Sequence, residues 1–160
     1  MENEAKTSEH MRKEILARNM THLLPEEPQP VSADVYDGYR KALECAGAKV
    51  LDKEEFGSYQ GEWWAQIQLP DGSVFFVNGH YGSCSGCDAF EGEFGWSDDE
   101  RPDYPVRLRD FGRDYIESCY TKAEAIQVAS KNLEWDHDAA EMVAWISTRA
   151  EAGAGEGGAE

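Results

Sequence analysis

Trp63-Trp64-Ala65-Gln66-Ile67-Gln68-Leu69-Pro70-Asp71-Gly72-Ser73-Val74-Phe75-Phe76-Val77 decides the fold. Trp63, Ala65, Ile67 and Leu69 alternate with Trp64, Gln66 and Gln68, the two-residue period of a strand with one buried face. Pro70-Asp71-Gly72 is a turn signal, and residues 74–77 supply the returning strand. The spacing therefore predicts a β-hairpin over 62–78. Trp63-Trp64 puts one indole on each face of the first strand, so one is core and the other meets a second helical layer or lines an exposed groove with Tyr59.

Upstream, Val50 and Leu51 start a further strand. A helix over 33–46 is expected before them, capped by Ser32 or Asp34, with Val35, Tyr39, Ala42, Leu43 and Ala46 inward and Gly47 as its stop. From Ser8, Ile15, Leu16, Met20 and Leu23 mark one face of an N-terminal helical arm, which Pro25, Pro28 and Pro30 break into a linker. Downstream, a short turn or helix holds Ala89, Phe90 and Phe94, and 97–105 reads as a charged loop. Leu108, Phe111, Tyr115 and Cys119 share a helical face. Thr121-Lys122-Ala123-Glu124 is a capping box that opens a helix burying Ala125, Ile126 and Ala129. Asp136 or Asp138 caps a last helix, with Ala139, Met142, Val143 and Ile146 inward. Helices and one hairpin without βαβ alternation define an α+β fold with a small antiparallel sheet. The expected organisation is an arm and linker over 1–30, one domain over 31–150, and a Gly/Ala/Glu tail over 151–160 with nothing to bury.

The chain has 160 residues, enough for one domain with its own core. Its 32 acids against 15 bases give a net charge of −17, which argues against bare nucleic acid or an anionic membrane as partner. No start typical of a secretory signal and no span of membrane length is visible. Four cysteines in that setting predict free thiols in a reducing cytoplasm.

Tyr81-Gly82-Ser83-Cys84-Ser85-Gly86-Cys87-Asp88 follows the hairpin and concentrates the candidate chemistry. As a metal site, Cys84 and Cys87 form half of a tetrahedral zinc set and His80 is a third ligand, with Asp88, Cys45 or Cys119 available to complete it. As a redox site, a strand, a loop and Cys-x-x-Cys ahead of a helix follow the thioredoxin arrangement, but the strand belongs to a hairpin and the helix is glycine-broken. As a nucleophile elbow, Gly82-Ser83-Cys84-Ser85-Gly86 places cysteine where serine normally stands, but that template needs a parallel sheet. The plain alternative is a tight glycine turn around two small buried thiols. Gly-rich phosphate loops, His-Glu-x-x-His and a catalytic triad are absent from the sequence. His137, between Asp136 and Asp138, offers a raised imidazole pKa or a metal ligand, but the simpler reading is that the aspartates are helix caps.

Residues 81–90, preceded by Gly57-Ser58-Tyr59-Gln60-Gly61-Glu62, resemble a pattern in small uncharacterised proteins of bacteriophages and their bacterial hosts. The resemblance covers residues 56–95. It implies a bacterial host cytoplasm and no particular reaction.

Beyond the loop, Asp88, Glu91, Glu93, Asp98, Asp99, Glu100 and Asp103 stand against Arg101 alone, interleaved with Phe90, Phe94 and Trp96. The plain reading is a solvated loop anchored by its aromatics. The functional reading is a surface formed by Glu91, Glu93, Trp96, Asp98, Asp99 and Glu100 for a basic host or phage protein. The expectation is thus a small acidic binding or regulatory protein, with the Cys84/Cys87 loop as its structural centre and zinc as the candidate ion. The alternative is a metal- or thiol-dependent enzyme using the same two cysteines.

Overall fold

The computed structural model describes residues 20–83, 86, 88–95, 98–131, 133–134 and 136–150. The arm before Met20, Cys84, Cys87, Trp96 and the tail lie outside the described residues. At the centre are three antiparallel strands, β1 (Lys49–Gly57), β2 (Gly61–Gln68) and β3 (Val74–Tyr81), in the order β1-β2-β3. The expected hairpin is β2 and β3, with Ala65 opposite Val77. Its turn is fixed by Gly72 at φ 93° and by the Asp71 carboxylate, which accepts the Ser73 N–H at 3.0 Å.

Five helices pack on this sheet: α1 (Gly38–Cys45), α2 (Ala89–Glu93), α3 (Tyr104–Glu117), α4 (Lys122–Ser130) and α5 (Ala139–Ser147). Both faces are covered. Trp63, Ala65, Ile67, Val50 and Val77 pack with Tyr39 and Leu43 of α1 and Ile116 of α3. Trp64, Phe76 and Phe56 pack with Ala125 and Ala129 of α4 and Met142 and Ile146 of α5. Trp63 and Trp64 are each 0% exposed, so the second indole meets a helical layer and not a groove. Burying each of these large side chains stabilises the fold by roughly 2–3 kcal/mol.

Three local differences from the sequence expectation have physical causes. First, α1 starts at Gly38, with Asp37 as its cap, accepting the N–H groups of Tyr39 at 3.0 Å and Arg40 at 3.3 Å. Ser32 instead closes its own turn on the Asp34 N–H at 3.2 Å, and neither Ser32 nor Asp34 caps α1. Gly47, at φ 109°, follows the helix as expected. Second, β1 runs nine residues through Asp52-Lys53-Glu54-Glu55, whose charges mask the strand period. It is an edge strand, where outward charge is favourable. A register shift between Val50 and Asp52 leaves Leu51 exposed, and Lys53 turns in, its ammonium 2.6 Å from Asp37 and 5.0 Å from the Trp63 ring centre. Third, Cys119 lies past the end of α3, whose inner face is Leu108, Gly112 and Ile116.

Gly112 sets the α1–α3 distance. A Cβ there would stand 2.0 Å from the Ala42 carbonyl oxygen, so only glycine permits this approach. Residues 20–30 lie against the domain: Leu24 is buried, and the Pro25 carbonyl accepts from Arg113 at 2.9 Å. No described helix is long and apolar enough to cross a membrane.

Candidate functional site

The 82–88 loop leaves the end of β3 beside the β1–β2 turn, because Tyr81 pairs with Gly61. Its base is tied by a buried carboxylate. Asp88 Oδ2 accepts the Gly82 N–H at 3.0 Å. Asp88 Oδ1 accepts the Tyr39 hydroxyl at 2.7 Å and the Phe90 and Glu91 N–H groups at 3.0 and 3.1 Å. One side chain thereby closes the loop and caps α2. Tyr39, from α1, also lies 3.0 Å from the His80 carbonyl oxygen, so the loop base is fastened to the helical layer above it. Burial pushes the Tyr39 phenol well above its ordinary value, with the neighbouring Asp88 adding to the shift.

This network alters the candidate ligand set. Asp88 meets four donors and serves as a structural anchor rather than an exposed ligand. Cys45 is buried between α1 and α3, its thiol 3.4 Å from the Pro105 carbonyl oxygen, with its pKa raised by burial. Cys119 is buried in the core under the sheet, and neither thiol forms a disulfide. His80 is exposed at the end of β3, opposite Glu62. Among the described residues, no group of three His, Cys, Asp or Glu side chains has metal-binding geometry. Cys84 and Cys87, the thiols of the expected zinc set, lie outside the described residues.

The acidic stretch divides into two kinds of carboxylate. Glu93 and Asp98 turn toward Arg107 of α3, each with an oxygen 3.2 Å from its guanidinium. Arg107 also stacks 5.1 Å from the Phe94 ring centre. Arg101 lies 3.9 Å from Asp98 and 3.6 Å from Asp103. The Asp98 carboxyl is held below its ordinary value, first by the Gly95 N–H and then by Arg107. Glu91, Asp99 and Glu100 are exposed and make no ion pair among the described residues. Glu91 and Asp99 flank a groove of about 760 Å³ floored by Phe90, Phe94 and Tyr104, with Lys41 at its rim. The aromatic floor is built in depth: Phe90 and Phe94 lie 4.7 Å apart, and both meet Phe111 at 5.5 Å.

Arg107 and Tyr39 were the functional supports that sequence reading missed. Tyr39 carried an ordinary core signal, and Arg107 sits nine residues from its acid partner with no motif to join them. No family model, curated protein or solved structure matches this chain.

Proposed function

We propose that this is a small acidic binding or regulatory protein of phage-related type, acting in a bacterial host by contact with a basic protein. The observation that carries the reading is the division of the acids around α2. Arg107 neutralises Glu93 and Asp98 and holds the segment to α3, while Glu91, Asp99 and Glu100 remain outward beside an aromatic floor. Such a surface suits lysine and arginine side chains, which gain from both carboxylates and ring faces. A net charge of −17 favours the same partners and disfavours nucleic acid and anionic lipid.

In this reading the Cys84/Cys87 loop is a structural centre, with zinc as the ion suited to two thiolates and a histidine. Elemental analysis of protein purified without added metal tests that component. About one zinc per chain, lost in Cys84→Ser/Cys87→Ser, is the expected result. Absence of metal removes zinc from the reading and leaves Asp88 and Tyr39 as the described ties of the loop base. The binding reading is tested by titrating a lysine- and arginine-rich polypeptide, protamine, against the wild-type chain and Glu91→Lys/Asp99→Lys/Glu100→Lys. Salt-sensitive binding that weakens at least about tenfold in the variant is expected. Equal binding by both chains sinks the assignment of the surface.

A further inference from the structure

β3 is an edge strand of the sheet, and among the described residues only Tyr120 pairs along that edge. Phe76 exchanges both backbone hydrogen bonds with Tyr120, N–H to O at 2.8 Å and O to N–H at 2.7 Å. Phe76 therefore points its backbone groups away from β2. By the two-residue alternation of an antiparallel ladder, so do Asn78 and His80. The His80 carbonyl oxygen lies 3.0 Å from the Tyr39 hydroxyl, whose single proton goes to Asp88. The Asn78 N–H, the Asn78 C=O and the His80 N–H meet no partner among the described residues.

The chain that pairs at Tyr120 does not continue along this edge, because residues 104–117 are helical. Between α3 and the edge lies a groove of about 730 Å³ lined by Asn78, Gly79, His80, Asp114, Tyr115 and Ser118. Its charge is one-sided. Asp114 is exposed and makes no ion pair among the described residues. The carbonyl end of α3 adds negative potential there. Tyr115 reports the same field: burial first, then Asp88 and Asp114, push its phenol up to about 12.

We propose that the open segment Asn78–His80 is a docking edge for a short extended stretch of the basic partner, joined by strand addition. An incoming residue would exchange two hydrogen bonds with Asn78, and a neighbour two positions away would accept from the His80 N–H. Its lysine or arginine side chain would reach Asp114. This deepens the reading of the protein as a binder of basic partners and rests on it. Gly92 lines both this groove and the aromatic-floored one, so one partner could occupy both sides of α2.

The test uses the full ¹⁵N-labelled chain and a capped Val-Lys-Val-Lys-Val peptide, followed by amide shifts and hydrogen exchange. Two control peptides separate pairing from charge: one N-methylated at the central valine, and one with glutamate for each lysine. Expected are protection of the Asn78 and His80 amides, loss of affinity of about tenfold or more with either control, and a similar loss in Asp114→Lys. No binding overturns the edge, as does binding unaffected by N-methylation. Shifts confined to Glu91, Asp99 and Glu100 overturn the edge and leave the acidic surface standing. Protection at Asn78 and His80 with an unchanged protamine affinity in the Glu91/Asp99/Glu100 variant keeps the edge and removes the acidic surface.

Discussion

The two faces of the sheet are equally buried but differently wired. On the α4/α5 face, Trp64, Phe76, Phe56, Ala125, Met142 and Ile146 form a core whose tie toward the loop is the Phe56 carbonyl, which accepts the Tyr81 hydroxyl at 3.1 Å. On the α1/α3 face, Tyr39 stands within 5.0 Å of the Trp63 ring and 6.0 Å of Phe111 and Tyr115, centre to centre. Its hydroxyl then reaches Asp88, and through Asp88 both ends of the 82–88 loop. One face is scaffold. The other joins the core to the candidate surface, so damage there should travel.

The comparison breaks most sharply at Gly112. Gly112→Ala pushes a methyl into the Ala42 carbonyl and should cost about 3 kcal/mol in urea unfolding, with loosened packing of Tyr39. Asp88→Asn comes next, at about 2 kcal/mol, because an amide presents a donor to at least one of the N–H groups the carboxylate now accepts. Faster hydrogen exchange at Gly82, Phe90 and Glu91 should accompany it, with the α4 and α5 amides unchanged.

Alkali probes the same face. Below pH 10 the Tyr115 phenol is protonated in both folded and unfolded chains. Between the ordinary value of 10.0 and about 12, the unfolded chain loses a proton that the folded chain keeps. Stability therefore falls as pH rises through that window, and Tyr39 shifts in the same direction. Tyr115→Phe should flatten the decline in a series of urea midpoints.

The scaffold face yields a smaller and more local effect. Thr121 accepts the Glu124 N–H at 3.2 Å while the Glu124 carboxylate accepts the Thr121 N–H at 2.9 Å. Thr121→Ala should cost about 1 kcal/mol and leave protamine binding intact. Smallest of all is the stability change in Glu91→Lys/Asp99→Lys/Glu100→Lys. Among the described residues these exposed side chains make no ion pair, so its urea midpoint should match wild type within about 0.5 kcal/mol.

What was legible in the sequence had local causes. The β2–β3 hairpin follows from residue alternation and a turn tripeptide, and the α4 capping box from residues three apart. β1 was only half visible because its charges obey the demands of an edge, and Lys53 turns inward only where Asp37 and Trp63 receive it. The cap of α1 moved because three candidate acceptors lie within six residues, and tertiary contact with Lys53 favours Asp37. For the site, the sequence located the loop and the acidic stretch. It could not show that Asp88 is an anchor, that Glu93 and Asp98 pair with Arg107, or that Asn78 and His80 point their backbone groups away from β2. Each depends on elements distant in sequence meeting in space.

In the proposed reading, the outward acids beside α2, and not net charge alone, select the partner. Capture from a bacterial lysate over a salt series tests it most directly, using wild type, Glu91→Lys/Asp99→Lys/Glu100→Lys and the charge-matched Glu54→Lys/Glu134→Lys/Glu141→Lys. Wild type and the matched control are expected to retain the same basic protein at low salt, and the α2 variant to lose it. Equal retention by all three chains, equal loss in both variants, or no enrichment by any of them would contradict it.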